Sequence, residues 1–259
     1  MKGYLVKTPK FVQRMFPKRV WTFPNSSLSA NKIGNTIYLT FDDGPIPEIT
    51  PWVLEELKKH HAGATFFCIG ENLEKQPDLF RRIIVEGHSV GNHTFNHRNG
   101  WKTSTEEYID NVLKAEEEMN KVHEARSTIV HPKYSPVRNN MKDGNEGGKR
   151  EDIPKIKSEI SDQRSSISNL FRPPYGKLTS RQSHILQQKG YKIIMWDVLS
   201  GDFDASISED NCFRNVSENV KPGSIVVFHD SLKAEKKLRY VLPKVLEVIS
   251  EKGWSCEKI

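Results

Sequence analysis

The sequence predicts an α/β protein, a distorted (β/α) barrel built on a parallel sheet, and three observations carry that prediction. An alternating apolar run, Ile37, Leu39 and Phe41, stops at Asp42-Asp43-Gly44-Pro45. Alternation reads as a buried strand, and Gly-Pro ends it because proline offers no N–H while glycine permits a sharp turn. Further apolar runs then alternate with helical spacings, the pattern of parallel strands joined by crossovers. Chemically capable side chains also recur at the ends of these runs, where parallel α/β folds gather their sites.

The elements follow in chain order. Val53, Leu54 and Leu57 have helical spacing over 50–60, with Thr50 as cap and Pro51 in the first turn. A buried strand is expected at 65–69 and a helix at 77–86, stopped by Gly87. Ser104-Thr105-Glu106-Glu107 opens a helix in the manner of a capping box, running to about Met119. From Lys121 to Asn169 the texture changes to charge, glycine, proline and serine with little periodicity, and an insertion is expected there, mobile or only partly helical with a helix over 153–165. Regularity returns with a helix at 179–189, a strand at 191–196, a helix at 208–219 and a strand at 224–228. A helix at 241–250 and a short strand at 254–257 close the chain. The catalytic unit is expected over 32–259, preceded by a basic arm over 1–31.

Composition bounds the function. The 259 residues are 36% hydrophobic, enough for one sizeable core, and carry a net charge of +6. No run approaches the ~18–20 apolar residues of a membrane span. The first twenty residues hold Lys2, Lys7, Lys10, Arg14, Lys18 and Arg19 and no acid, without the continuous apolar core of a secretory leader. The arm is expected to dock on the barrel, with peripheral contact to an anionic membrane as the other reading, and the chain to be cytoplasmic. No nucleic-acid motif is present. Cys68, Cys212 and Cys256 are far apart and form no C-x-x-C pair, which argues against a zinc knuckle or redox motif and points to a reducing compartment.

The strand ends collect Asp42 and Asp43, His93 and His97, Arg172 and Tyr175, Asp202, and His229 and Asp230. In a barrel all face one mouth. His93 and His97, at i and i+4, are expected on one face of a helical turn. Two imidazoles and one carboxylate make the ligand set of hydrolytic zinc sites, which leave a position open for water. Adjacent residues on a strand point to opposite sides, so a local twist is required for Asp42 and Asp43 to serve one site.

These residues also carry a resemblance. Thr40-Phe41-Asp42-Asp43-Gly44-Pro45, His93-Thr94-Phe95-Asn96-His97, Arg172-Pro173-Pro174-Tyr175-Gly176, Asp202-Phe203 and Val227-Phe228-His229 resemble the five ordered motifs of the polysaccharide deacetylases. These are the NodB-homology domains of carbohydrate esterase family four, whose fold is a distorted (β/α) barrel. The resemblance implies a metal-dependent hydrolase that removes acetyl groups from N-acetylated glycans. It implies Asp43, His93 and His97 as ligands of a divalent metal, zinc or alternatively cobalt. Asp42 would be the general base, with Arg172 holding it ionised and oriented. The backbone N–H of Tyr175 would face the oxyanion. His229 would be the general acid, with Asp202 orienting it, and Pro174, Val227 and Phe203 would meet the substrate. The family usually has Trp where Phe203 stands and commonly Leu where Val227 stands, which leaves the size of the acyl pocket open. Three other readings stand beside this one. The same site could cleave O-acetyl esters. Gly87-His88-Ser89-Val90-Gly91 matches the nucleophile elbow of serine hydrolases, although the residues after it make a poor helix start. The chain could also be an inactive sugar-binding module.

Overall fold

A computed structural model describes residues 4–23, 34–124 and 167–259. Seven strands form a parallel sheet in the order β5-β4-β3-β2-β1-β7-β6. They are β1 (Thr36–Asp42), β2 (Ala64–Cys68), β3 (Ser89–Asn92), β4 (Ile167–Phe171), β5 (Lys192–Ile193), β6 (Val198–Leu199) and β7 (Ile225–His229). A further short strand, β8 (Ser255–Cys256), pairs with the start of β1. The sheet curls into a distorted barrel with helices outside. Those helices are α1 (Lys10–Met15), α2 (Thr50–Lys59), α3 (Gly70–Lys75), α4 (Pro77–Val85), α5 (Thr105–Glu124), α6 (Ser180–Gln188), α7 (Glu209–Ser217) and α8 (Glu235–Glu251).

Strand periodicity sorts the central strand into two jobs. Ile37, Leu39 and Phe41 face the helices in the main core, whereas Tyr38 belongs to a separate cluster with Phe67, Leu170, Ile194 and Ile225. By the same alternation Thr40 and Asp42 share the face of Tyr38. Register locks this arrangement: Phe41 pairs with Phe66 on one side and Phe228 on the other. Their rings stack at 5.0 and 6.0 Å. A one-residue slip would turn Asp42 out of the barrel.

Several boundaries differ from the sequence expectation, each for a physical reason. Thr50 is the first residue of α2 rather than its cap. Its hydroxyl accepts from Ile46 N–H at 2.8 Å and donates to Asp230 instead. The last helix starts at Glu235, because burial of Leu238, Val241, Leu242, Val245, Leu246 and Ile249 outweighs the cost of Pro243 in its interior. α5 continues to Glu124, and β4 begins at Ile167, so both ends of the expected insertion belong to regular elements. Its remaining residues lie outside the described ones. The strands β3 and β6 and the one-and-a-half-turn helix α3 carry too few residues to show a period. Thr179 and Gln182 form a reciprocal capping box for α6. Cys68, Cys212 and Cys256 are buried and unpaired, as small hydrophobes are in a core. Among the described residues no helix is long and apolar enough to cross a membrane.

The barrel is not closed by its own strands. β5 and β6 leave a seam, and residues from the N-terminal arm fill it. Val20 N–H donates to Ile193 C=O at 2.9 Å and Val20 C=O accepts from Met195 N–H at 2.7 Å. On the other edge Val6 C=O accepts from Leu199 N–H at 2.8 Å. Val12 and Phe16 pack beside Trp21, Ile193 and Met195. Lys7 Nζ pins the strap by donating to Asp197 Oδ2 at 2.6 Å and Asn219 C=O at 2.8 Å. The Asp197 side chain is only 1% exposed, and it also accepts from Ser224 Oγ and Ile225 N–H. Asp197 is therefore a structural residue. Lys7→Met should lower stability by about 1–3 kcal/mol, read as a shift in urea midpoint. Lys7→Met/Asp197→Asn should recover part of the loss, because no carboxylate is then left unpaired. An unchanged midpoint in the single variant would remove the seam from the account.

Candidate active site

The parallel register places the carboxyl ends of β1, β2, β3, β4 and β7 around one mouth. Asp42 lies beside His229 on β7 and Phe67 on β2. Its partner comes from the end of β4. The Arg172 side chain is fully buried, and its Nη1 donates to Asp42 Oδ1 at 2.7 Å and to Thr40 Oγ1 at 2.6 Å. Nε and Nη2 donate to the carbonyls of Ile194 and Met195 at 3.2 and 3.1 Å, and the guanidinium lies 4.1 Å over the Phe67 ring. All of these bonds come from fixed acceptors inside the barrel, so the guanidinium has one pose and fixes Asp42 in another.

Asp43 meets the twist requirement by leaving the strand conformation. Its φ is +83°, a left-handed turn that brings its carboxylate round to the imidazoles. Asp43 Oδ1 lies 3.7 Å from His93 Nε2 and 3.3 Å from His97 Nε2. The two histidines are not on a helical turn as expected. They bound a loop after β3 in which Thr94 and His97 take φ of +65° and +57°. The loop is held from within and below. Asn92 Oδ1 accepts from Thr94 N–H, Asn111 Oδ1 accepts from Phe95 N–H, and the carbonyls of Thr94 and Phe95 accept from Gly70 and Glu71 N–H. Spacing in sequence pointed to the right pair of rings for the wrong local geometry.

The donor chemistry of the cluster fits a divalent cation. His93 Nδ1 donates to the Arg172 carbonyl at 2.8 Å; a carbonyl can only accept, so this ring is left with its lone pair on Nε2. Burial holds His93 down to about 3 and lowers His97 as well, so both rings are neutral at pH 7. Asp43 Oδ1 is buried without a hydrogen-bond partner. One ligand atom each from Asp43, His93 and His97 lie within 4.8 Å of one another. Three acceptors this close, on one buried and two half-buried side chains, suit a shared positive centre, and ligands ~2.0–2.1 Å from a tetrahedral ion stand about 3.3 Å apart. Among the described residues this is the one such group.

On the opposite side of Asp42, His229 Nδ1 donates to Asp202 Oδ1 at 2.8 Å, and His229 N–H donates to Asp202 Oδ2 at 2.7 Å. Burial alone would lower the imidazole. The Asp202 charge and hydrogen bond override it and raise His229 to about 9. The ring is therefore a cation at neutral pH. Phe203 packs edge-on to His229 at 5.0 Å and is backed by Tyr4 of the arm at 5.3 Å. Tyr4 also donates to Asp204 Oδ2 at 2.8 Å.

Tyr175 stands at the rim, 60% exposed, with φ of +60°. Its hydroxyl lies 3.1 Å from His97 Nδ1. The turn it belongs to uses the N–H groups of Gly176 and Lys177 for its own bonds. Pro174 and Val227 are buried, and Val227 lies on the same face of β7 as His229.

The serine-hydrolase reading is overturned by position. Ser89 opens β3 and pairs with Thr65 near the start of β2, at the end of the sheet away from the mouth. The chain after it continues as a strand, where a nucleophile elbow would turn into a helix. Sequence reasoning missed Thr40, Asn72 and Asn92, whose polar side chains gave no signal apart from their place near the motifs. Asp230, assigned no role from sequence, accepts from Gly44 N–H and Thr50 Oγ1, and burial pushes it up to about 8.

Comparison with known proteins places the chain among relatives. A family model described as polysaccharide deacetylase matches residues 29–147. A peptidoglycan-N-acetylglucosamine deacetylase of Bacillus cereus is 32% identical over 195 residues, covering 75% of this chain; the chain spans 56% of that relative's length. A chitooligosaccharide deacetylase of Bradyrhizobium sp. is 30% identical over 75% of this chain and 70% of the relative. The crystal structure of the Bc1960 peptidoglycan N-acetylglucosamine deacetylase superposes with a TM-score of 0.71 at 28% identity. That match covers 97% of this chain and 95% of the other.

Proposed function

This chain belongs to the polysaccharide deacetylases, and from that premise we propose that it hydrolyses the acetamide of N-acetylated glycans in a metal-dependent reaction. The observation that carries the reading is the flanking of one Asp-His-His cluster by a carboxylate held by Arg172 and an imidazolium held by Asp202. In this reading Asp42 as base, the Asp43-His93-His97 cluster as ion ligands and His229 as acid share one mouth, as amide hydrolysis needs. The relatives named above act on N-acetylglucosamine in peptidoglycan and on chitooligosaccharide, so the proposed substrate is a glycan bearing N-acetylglucosamine.

Asp43, His93 and His97 would hold the ion, and two imidazoles with one carboxylate suit zinc, with cobalt as a substitute. When bound, such an ion supplies Lewis acidity and brings the pKa of a water from 15.7 towards ~7. Asp42 takes the proton of the attacking water. Arg172 keeps that carboxylate ionised and aimed, and the desolvation cost of the buried pair is offset by its other bonds. As the tetrahedral centre forms, the Tyr175 N–H faces the developing oxyanion. His229 then gives its Nε2 proton to the departing amine, and the Asp202 carboxylate stabilises the imidazolium until that transfer. Pro174, Val227 and Phe203 wall the space for the acetyl group.

The arm presents a second surface. α1 turns Val12 and Phe16 inward and leaves Phe11 64% and Met15 66% exposed. Arg14 shares one face of α1 with these two residues at i, i+3 and i+4, and Lys18 follows just beyond the helix end. An apolar wedge between cations is the composition of an interfacial anchor, and we assign it peripheral contact with an anionic bilayer.

Three outcomes are expected. Purified protein should release acetate from an N-acetylglucosamine oligomer, lose that activity to a chelator and regain it with zinc or cobalt. Asp42→Asn and His93→Ala should each lose it by at least 10²-fold, the scale of general-base catalysis; chelator-resistant release would overturn the reading. The pH profile of kcat/KM should fall as pH rises through about 9, where His229 loses its proton. Asp202→Asn removes the charge that holds this pKa up, so the alkaline limb should move to lower pH; an unmoved limb would exclude His229 as the acid. The protein should co-sediment with phosphatidylglycerol vesicles at low salt and not with phosphatidylcholine vesicles. Phe11→Ser/Met15→Ser should abolish this without changing acetate release; equal sedimentation of that variant would sink the membrane assignment.

A further inference from the structure

A metal ligand on a turn must be held against rotation about both bonds of its own Cα. For Asp43 the difficulty is greater, because a non-glycine residue at φ of +83° sits in a region that costs ~1–2 kcal/mol. Left alone, the turn would relax towards the extended region and carry the carboxylate away from His93 and His97.

The peptides on both sides of Asp43 are tied to Asp230. Its backbone N–H donates to the Asp42 carbonyl at 3.1 Å, and its Oδ1 accepts from Gly44 N–H at 3.0 Å. The first bond fixes the peptide plane preceding the Asp43 Cα and the second fixes the plane following it, so together they set φ and ψ. Asp230 is itself fully buried, and its Oδ2 accepts from Thr50 Oγ1 at 2.5 Å, which anchors the carboxylate to the start of α2. From the other side Asn72 Nδ2 donates to the Asp43 carbonyl at 2.7 Å, and Ile69 N–H donates to the Gly44 carbonyl at 3.0 Å. The fit is close: a Cβ at Gly44 would lie 2.0 Å from Asp230 Oδ2, so only glycine lets the turn reach the carboxylate.

We propose that Asp230, seconded by Asn72, is a positioning residue that clamps the Asp43 turn in its metal-ligating pose. The inference rests on the metal-site reading and goes beyond it. Asp230 touches neither substrate nor ion, and acts through the backbone of its neighbour. Its place directly after His229 also means that one short segment delivers the acid of the reaction and the support for a metal ligand.

The test compares zinc affinity, by competition with a chromogenic chelator, and the visible spectrum of the cobalt-substituted protein. Wild type should hold one ion that His93→Ala abolishes. Asp230→Ala should weaken zinc binding by roughly 10–100-fold, the scale seen when outer-shell partners are removed, and alter the cobalt spectrum. Asp230→Asn should restore both towards wild type, since its amide oxygen still accepts from Gly44 N–H. Asn72→Ala, at a half-buried position, should show a smaller loss in the same direction and serves where Asp230→Ala does not fold. Wild-type affinity and spectrum in Asp230→Ala or, failing its folding, in Asn72→Ala, beside an intact His93-dependent site, would overturn the clamp alone. Absence of a His93-dependent site in wild type would overturn the metal reading and the clamp with it.

Discussion

The buried pair of Arg172 and Asp42 is the constraint around which the barrel interior is arranged. A guanidinium with no exposed surface is tolerable only when its donors are met, and here a carboxylate, a hydroxyl and two carbonyls meet them. Those acceptors come from β1 and from the segment after β5, on opposite walls. One side chain therefore ties the walls together and at the same time holds the carboxylate through Oδ1 in one pose. Losing either member would strand a charge in the interior, at a cost of about 3–5 kcal/mol. Stability and catalytic geometry are in this sense the same set of bonds.

The rest of the mouth follows from two opposite electrostatic settings brought together by the fold. For buried His93 and half-buried His97 desolvation outweighs the nearby Asp43 charge, and their rings stay neutral and present lone pairs. His229 is largely enclosed too, but a dedicated carboxylate reverses the outcome and raises its imidazole to about 9. Environment rather than residue type separates the proposed ligands from the proposed acid. The loop geometry supports the separation, since left-handed residues at Asp43, Thr94, His97 and Tyr175 each re-aim a side chain that a regular strand or helix would point elsewhere.

Much of this was legible in the sequence because it is written in local pattern. Ile37, Leu39 and Phe41 announce a strand by alternation, and the abrupt acids after Phe41 announce its functional end. Asp42, His93, His97, Arg172, Asp202 and His229 were all named from their motifs, and the fold brings them to one mouth. What escaped depends on partners distant in the chain. Asp230 is 180 residues from Thr50, and nothing local to either position marks the contact. β3 and β6 are too short for periodicity to register. The helical geometry assumed for His93 and His97 failed because Asn92, Gly70 and Asn111 hold the loop by hydrogen bonds that spacing alone does not encode. The last helix begins at Glu235, ahead of its expected start at 241, because tertiary burial outweighs the cost of Pro243 in its interior.

The strap across the seam has a consequence for how the chain acquires its structure. Lys7 and Asp197 are separated by 190 residues, so the arm, made before its partners, cannot reach its place until the strands at β5 and β6 exist. Until then both sheet edges are open rows of donors and acceptors, the configuration most prone to pairing with another chain. Closing so long a loop is entropically costly and slow. Docking of the arm is therefore a late folding step, and the interval before it is when a growing chain is most exposed to aggregation.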